Sequence, residues 1–172
     1  MSNVGFKVMA LGFKVRDALK PRERIVKEIG LKPGFSVIDF GCGPGGYVPA
    51  TSKAIGENGK LYALDINPAA IEMVNKLVAK NGLKNVEIIQ SSGDTHLPAK
   101  SIDVVLLFDV FHDLKKQNEV LAELYRILKN TGLLAFSDHH LSEDEITSKV
   151  TESGLFMLHR KGENIYLFTR QH

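Results

Sequence analysis

The 172-residue chain contains one cysteine, no tryptophan and no long apolar run. A single cysteine, Cys42, excludes an internal disulfide and is typical of a reducing compartment. No apolar stretch approaches the roughly 20 residues that a membrane-spanning helix requires. Lys7 and Lys14 interrupt the mildly apolar N-terminus, which argues against a signal peptide. We therefore expect a cytoplasmic protein that does not enter a membrane.

The chain also lacks a strong charge of either sign, with a net charge of +2 when histidine is neutral. Its 44% hydrophobic and 24% charged residues indicate one globular domain of ordinary size. Residues 1–34 nevertheless contain eight Lys or Arg against three Asp or Glu. The net charge is by itself too small to indicate nucleic-acid binding. The local basic excess indicates either a solvated helix face or an anion-binding surface.

Apolar, strand-like runs alternate with amphipathic helical segments along the chain. Five runs lack polar alternation, as expected for parallel strands that are covered on both faces: SVIDFG, KLYALD, VEIIQS, DVVLLFDV and LLAFSD. The predicted helices are RERIVKEIG, NPAAIEMVNKLVAKNG, NEVLAELYRILKNTG and SEDEITSKVTESG. The last two apolar runs, LFMLHRK and NIYLFTR, are separated only by GEN and predict an antiparallel hairpin.

Capping residues predict where these helices begin and end. Asn67 suits the N-cap of the second predicted helix, and Gly82 suits its end. Ser142 and Glu145 match a capping box at the start of the fourth. We expect the third helix to end at Gly132. Its buried stripe would consist of Val120, Leu121, Leu124 and Leu128.

These elements predict an α/β fold: a Rossmann-like open sheet of five mostly parallel strands, a C-terminal antiparallel hairpin that makes seven strands, and helices on both faces. Residues 1–34 are expected to form an N-terminal helical segment, and residues 35–172 the ligand-binding core. A ligand should bind at the carboxyl ends of the strands, where the strand order reverses. Four apolar residues of the N-terminal segment would either cover that ligand as a lid or pack under the sheet: Phe6, Met9, Leu11 and Phe13.

The turn after the first predicted strand is rich in glycine and supports two interpretations. The G-x-G-x-x-G pattern of dinucleotide-binding proteins is matched by Gly41, Gly43 and Gly46. The same turn also fits the pattern D-x-G-x-G-x-G from Asp39 to Gly45. Because the carboxylate of Asp39 would repel a pyrophosphate, it favours a ligand that carries a cationic group.

The second pattern resembles the first motif of the class I S-adenosylmethionine-dependent methyltransferases. The resemblance extends from GLKPGFSVIDFGCGPGG to the terminal hairpin, which is also characteristic of that family. It implies an enzyme whose cofactor, S-adenosylmethionine, has an ammonium, a sulfonium and a carboxylate but no phosphate. The cofactor-binding residues that it implies are Asp39, Gly41, Cys42, Gly43, Gly45, Asp65, Ile66, Asn67, Asp94, Thr95, Phe108 and Asp109.

The resemblance also assigns parts of the cofactor to individual residues. Asp65 would accept hydrogen bonds from the two ribose hydroxyls, while Ile66 and Asn67 would lie along the adenine. Asp94, with Thr95 beside it, would accept from the exocyclic amine of adenine, although it also suits a simple turn. The methionine part would face Phe108 and Asp109.

Polar residues after the fourth and fifth predicted strands are the candidates for catalysis. Methyl transfer is an in-line displacement, so the protein must align the acceptor and remove its proton where it has one. His112 and His139 are the candidate acid–base pair, because histidine titrates near neutrality. His112 equally suits a helix cap or a wall of the pocket. The substrate pocket is expected to include Tyr47, His112 and His140.

Asp109, Asp138 and His139 also form a possible metal-binding group. They faintly resemble the carboxylates with which catechol-type O-methyltransferases hold magnesium. Histidine is a poor ligand for that hard cation, so we expect no metal.

The segment FHDLKKQNEVLAELYRILKNTGLLAFSD resembles the small-molecule and quinone-type branch of the family. The chain lacks two family signatures of nucleic-acid enzymes, the Asn/Asp-Pro-Pro-Tyr/Phe motif after strand four and a lysine after strand five. We expect a small-molecule acceptor, no nucleic acid, and a monomer or homodimer. The alternatives are a cofactor-binding but non-catalytic partner subunit, an NAD-dependent oxidoreductase, and a nucleic-acid or protein methyltransferase.

Overall fold

A computed structural model of the protein describes residues 22–171. The strands in this range are β1 Ser36–Phe40, β2 Lys60–Asp65, β3 Val86–Gln90, β4 Ile102–Phe108, β5 Leu128–Ser137, β6 Phe156–Lys161 and β7 Tyr166–Arg170. The helices are α1 Arg22–Ile29, α2 Val48–Ile55, α3 Pro68–Asn81, α4 Gln117–Ile127 and α5 Glu143–Thr151, with a 3-10 turn at Phe111–Asp113. None of these helices is both long enough and apolar enough to cross a membrane. The predicted lid residues Phe6, Met9, Leu11 and Phe13 lie outside the described range.

The seven strands form one sheet in the order β3-β2-β1-β4-β5-β7-β6. The first five pair in parallel, and β7 runs antiparallel to both β5 and β6. The predicted fold class is therefore confirmed. The strand order reverses between β1 and β4, so a crevice is expected beyond the carboxyl ends of these two strands.

Different helices cover the two faces of the sheet. In β4, Val104 and Leu106 pack into the cluster that contains α1, α2 and α3, whereas Val105 and Leu107 pack into the cluster that contains α4 and α5. All four side chains are buried. Because successive residues of a strand point to opposite faces, burial on both faces requires the continuous apolar runs seen in the sequence.

The predicted caps of two helices are confirmed. The side chain of Asn67 accepts a hydrogen bond from the backbone N–H of Ala69 at 3.0 Å and starts α3, which ends at Gly82 in the left-handed conformation. Ser142 and Glu145 form the expected capping box of α5. These short-range signals depend only on neighbouring residues, which is why the sequence alone reveals them.

The prediction that the third helix continues to Gly132 was wrong. This helix, α4, ends at Ile127, and Leu128 opens β5 by pairing with Ile102. Leu128 is fully buried in the strand, as it would have been in the helix, so hydrophobic periodicity did not separate the two. The residues between Leu128 and Leu133 form an irregularity in the pairing with β4.

Helix α2 was missed by the sequence analysis. It begins directly after the glycine-rich turn, carries Pro49 in its first turn and buries Val48 and Ile55 in the core. Two signals could have identified it. Glycine-rich turns after a strand commonly lead into a helix, and proline is favoured at the first helical positions.

Candidate functional site

A cavity of about 1110 Å³ lies beyond the carboxyl ends of the parallel strands. Its walls come from the start of α1, the glycine-rich turn after β1, the ends of β2 and β4, the β3–β4 connection, the turns after β4 and β5, and α4, including Glu123. The predicted residues that line it are Asp39, Gly41, Cys42, Gly43, Tyr47, Asp65, Ile66, Asn67, Asp94, Phe108, Asp109, His112, His139 and His140. The fold thus brings together residues that are far apart in the sequence.

Two predicted cofactor residues do not line the cavity. A Cβ atom added at Gly45 would lie 2.9 Å from the side chain of Leu77 and 3.1 Å from that of Val74, so this glycine permits close packing of α3. Thr95 is fully buried, and its hydroxyl donates a hydrogen bond to the carboxylate of Glu123. Gly46, from the other glycine pattern, does line the cavity.

Asp65 at the end of β2 holds the glycine-rich turn in place. Its Oδ2 accepts from the backbone N–H of Gly43 at 2.9 Å, and its Oδ1 accepts from the N–H of Asn67 at 2.8 Å. Gly41 and Gly43 have φ angles of +77° and +53°, in the region that favours glycine. The turn is therefore supported by a carboxylate from the neighbouring strand.

Asp39 is a buried acid in the wall of the cavity. It is 3% exposed, and its Oδ2 accepts no hydrogen bond from the described residues. Burial raises the pKa of Asp39 to about 7, an effect that the positive charge of Arg22 opposes and the negative charge of Asp65 reinforces. A buried carboxyl oxygen without a hydrogen-bond donor is costly, so a cationic or hydrogen-bonding ligand group would be stabilised beside it.

Cys42 lies in the same turn but is not activated. Burial raises the pKa of its thiol above the ordinary range, and the charges of Asp39 and Asp65 raise it further. Because the thiolate is the reactive form, this protonated cysteine is a small wall residue and not a nucleophile.

Arg22 is a cavity residue that the sequence analysis did not assign to the site. Its guanidinium carbon lies 4.0 Å from the ring centroid of Tyr47, and that ring lies 4.7 Å from the ring of Phe108. The available signal was the basic excess of residues 1–34. Sequence reasoning could not distinguish a solvated face from an anion-binding surface, and α1 places this one arginine at the cavity.

At the other end of the cavity, Ile66 and Asp94 form a surface suited to a flat ring. The side chain of Ile66 is 64% exposed, which is unusual for a large apolar residue, and it lies in the cavity wall. The carboxylate of Asp94 accepts from the backbone N–H of His96 at 2.9 Å and retains further acceptor capacity.

Two histidine–aspartate pairs stand at the ends of β4 and β5. Nδ1 of His112 lies 2.9 Å from the buried carboxylate of Asp138, and Nδ1 of His139 lies 2.7 Å from Oδ1 of Asp109. The ring of His140 lies between them, with its centroid 4.0 Å from that of His112 and 3.9 Å from that of His139. A carboxylate at Nδ1 favours the tautomer that is protonated there, which leaves Nε2 as the basic nitrogen.

Backbone contacts fix both pairs. Asp138 also accepts from the backbone N–H groups of His112 and His140, each at 3.1 Å. Asp109 accepts from the backbone N–H of His139 at 3.1 Å, and its own φ is +52°. A left-handed non-glycine residue is strained, and such strain is common where a side chain is held for function.

Asp109, Asp138 and His139 also offer ligand atoms that lie within 4.8 Å of one another. However, both oxygens of Asp138 are already engaged by His112 and one also by His140. Hydrogen bonding within the two pairs accounts for this arrangement, and the expectation that no metal binds here stays a prediction.

The chain is similar to several known methyltransferases. Residues 31–167 match the model of a family described as a methyltransferase domain. A demethylmenaquinone methyltransferase from Lactobacillus johnsonii is 31% identical over 114 residues, which cover 64% of this chain and 46% of that protein. The ubiquinone/menaquinone biosynthesis C-methyltransferase UbiE of a Marinomonas species is 24% identical over 139 residues, which cover 80% of this chain and 55% of that protein.

A solved structure provides a comparison of similar length. The SAM dependent methyltransferase from Aquifex aeolicus has a TM-score of 0.85 and 30% identity, with 95% of this chain and 97% of that chain covered. By contrast, the chain spans about half the length of the curated relatives it matches.

Proposed function

Because the chain belongs to the class I S-adenosylmethionine-dependent methyltransferases, we propose that it transfers the methyl group of S-adenosylmethionine to a small-molecule acceptor. The observation that carries this proposal is Oδ2 of Asp39, a buried acceptor in the wall of the cavity that receives no hydrogen bond from residues 22–171. The ammonium of the cofactor would supply the missing hydrogen bond and charge. A pyrophosphate carries neither a positive charge nor, when ionised, a hydrogen-bond donor.

The adenosine part of the cofactor would occupy the end of the cavity near β2 and β3. Each carboxylate oxygen of Asp65 uses one acceptor position for the backbone and has another for a ribose hydroxyl. The exposed side chain of Ile66 would pack on the adenine, and Asp94 would accept from the adenine amine. Ile66 would thereby bury apolar surface that is otherwise exposed to water.

The methionine part would lie between the glycine-rich turn and the end of β4. Asp39 would face the ammonium, and the backbone of Gly41 and Gly43 can approach closely because neither carries a Cβ. Arg22, held over Tyr47, would attract the carboxylate. When bound, S-adenosylmethionine supplies a methyl group on a sulfonium, which is a good leaving group.

The acceptor would bind beside the histidines. His112, oriented by Asp138, would accept a proton from the acceptor through Nε2, and His139, oriented by Asp109, would be its partner in acid–base catalysis. Tyr47 and His140 would form the remaining aromatic walls. Because relatives act on quinone precursors by name, we propose an aromatic acceptor that carries an acidic hydroxyl group, such as a reduced naphthoquinone.

The first test is calorimetric titration of the full chain with S-adenosylhomocysteine, the product form of the cofactor, and in parallel with NADH. We expect one-to-one binding of S-adenosylhomocysteine alone. Binding of NADH alone would overturn the proposal in favour of an oxidoreductase, and binding of neither would also contradict it.

The second test measures S-adenosylhomocysteine formation from S-adenosylmethionine and a reduced naphthoquinone. Formation of S-adenosylhomocysteine would support the proposed methyltransferase activity. Cofactor binding without turnover on this acceptor, on small-molecule extracts, on nucleic acid or on protein would favour the non-catalytic partner subunit. A cytoplasmic location and a monomeric or homodimeric state complete the proposal, and light scattering of the purified chain tests the latter.

A further inference from the structure

One carboxylate ties the β3–β4 connection to α4. Oε1 of Glu123 accepts hydrogen bonds from the backbone N–H of Thr95, at 3.2 Å, and from the Thr95 hydroxyl. Nη2 of Arg126 lies 2.8 Å from the same oxygen and also donates to the carbonyl of Leu97 at 2.8 Å. Together these bonds hold residues 95–97 against the helix.

The neighbours of Glu123 keep its carboxylate ionised in this contact. Bonds from Arg126 and Thr95 hold the pKa of Glu123 at about 2, so the carboxylate is ionised throughout the range in which enzymes work. Thr95 is fully buried, so its hydroxyl would lose its hydrogen bond to a charged group if Glu123 were removed. Hydrogen bonds to ionised groups are stronger than neutral ones, which makes this tie a strong one.

Asp94 directly precedes the tied residue and lines the cavity. Its carboxylate accepts from the N–H of His96, whose φ of +55° is another left-handed conformation. The turn that orients the Asp94 carboxylate therefore contains a strained residue, His96. Thr95, bonded to Glu123, holds this turn in place. A shift of Thr95 away from α4 would move the carboxylate of Asp94 relative to the rest of the cavity.

From these contacts we propose that Glu123 is a positioning residue for adenine specificity. It acts through Thr95 to place Asp94 where the amine of the cofactor's adenine can donate to it. The inference rests on the proposed function, in which Asp94 accepts from that amine. It assigns a specificity role to a residue of α4, with Thr95, expected beside Asp94 at the cofactor, as the link between the two carboxylates.

The test compares two ligands that differ only at the amine. One is S-adenosylhomocysteine, and the other is its deamino analogue, in which hydrogen replaces the adenine amine. Calorimetry on the full chain gives the ratio of their dissociation constants. For the wild type we expect the deamino analogue to bind about ten times more weakly or worse, because it lacks one hydrogen bond to a charged group. For Glu123→Ala the ratio should fall below about three, as it should for Asp94→Ala.

Conservative and control variants separate positioning from general stability. Glu123→Gln and Thr95→Ser keep a hydrogen bond at this contact and should retain more of the discrimination than Glu123→Ala and Thr95→Val. Glu72→Ala, which removes an exposed ion pair with Lys76 on α3, should leave the ratio unchanged. If Glu123→Ala does not fold, the Thr95→Val and Thr95→Ser pair carries the test.

Each outcome has a distinct meaning. If Glu123→Ala weakens both ligands equally and keeps the wild-type ratio, its role is only structural and the inference is overturned. A wild type that binds the two ligands equally well would also overturn it, because Asp94 would not be recognising the amine. Failure of the wild type to bind S-adenosylhomocysteine at all would instead defeat the proposed function.

Discussion

The carboxylate of Asp65 accepts a hydrogen bond from the backbone N–H of Gly43, 22 residues earlier in the chain, at 2.9 Å. The acid at the end of β2 therefore stabilises the glycine-rich turn in the protein itself. With a ribose bound, the same carboxylate would have two tasks, one toward the turn and one toward the ligand. Substitution of Asp65 should therefore affect both ligand binding at the proposed adenosine site and the stability of the turn.

Replacing Asp65 with alanine should weaken binding of S-adenosylhomocysteine by at least about tenfold, because hydrogen bonds to a charged group contribute about 1.5–3 kcal/mol. Asp65→Asn, which keeps one acceptor oxygen, should have a smaller effect. Calorimetry measures both affinities, and thermal unfolding shows whether the turn has loosened. Glu87→Ala, on the neighbouring strand and paired with exposed Lys60, is the matched control. Affinity within twofold of the wild type in Asp65→Ala would contradict the assignment.

The raised pKa of Asp39 predicts how stability depends on pH. Its pKa is about 7 in the folded protein against an ordinary value of 3.8, so the folded state holds an extra proton between these values. The free energy of unfolding should therefore decrease as pH rises from about 4 to about 7, and this contribution should be constant above that. Chemical denaturation of the wild type and of Asp39→Asn measures it. The slope attributed to Asp39 should be absent from the variant.

The same carboxyl should make cofactor affinity depend on pH in the opposite direction. A cationic group binds the ionised form of Asp39, of which about one tenth is present one pH unit below the pKa. Binding of S-adenosylhomocysteine should be about five- to tenfold weaker at pH 6 than at pH 7.5, because the ionised fraction of Asp39 rises by that factor between these two pH values. Asp39→Asn should show a flatter profile over the same range. Equal pH profiles for the two proteins would show that Asp39 does not face the ammonium.

Two glycines of the same turn should respond differently to alanine. At Gly41, with φ +77°, a Cβ would lie 2.5 Å from Cγ2 of Val110, so Gly41→Ala should destabilise the fold by about 1–3 kcal/mol. At Gly43, with φ +53°, there is nothing within 4 Å, so Gly43→Ala should cost only about 1 kcal/mol and instead obstruct the ligand. Denaturation and calorimetry on each variant separate the effects. A Gly43→Ala protein with wild-type affinity would argue that the cofactor backbone does not pass this residue.

The pairing of Asp138 with His112 predicts a loss of turnover without a loss of cofactor binding. Asp138→Asn replaces an acceptor by a group that also donates, which disturbs the tautomer of His112, and His112→Asn removes the base itself. We expect turnover on a reduced naphthoquinone to fall by about 10²–10⁴, with affinity for S-adenosylhomocysteine within threefold of the wild type. Asp144→Asn, an exposed acid of α5, is the control for the chemical change. Unchanged turnover in His112→Asn would remove this histidine from the mechanism.

Sequence patterns were sufficient wherever the deciding contacts are local or repeat with a regular period. The buried runs of β1 and β4 and the caps at Asn67 and Ser142 belong to this class. Sequence patterns failed at Leu128, because a buried leucine suits the end of a helix and the start of a strand equally well. Gly45 and Thr95 were expected at the cofactor but do not line the cavity, because each contacts a helix that is distant in sequence, α3 and α4 respectively.

By itself, the sequence determined the α/β alternation, the seven strands, and the acid and glycines of the turn after β1. These follow from local propensity, hydrophobic period and the backbone freedom of glycine, all of which are properties of neighbouring residues. Only the tertiary structure decided that Arg22 reaches the cavity, that Asp138 orients His112, and that Glu123 anchors the residue beside Asp94. Each of these contacts joins segments whose distance in space depends on how strands and helices pack, and no pattern along the chain encodes that distance.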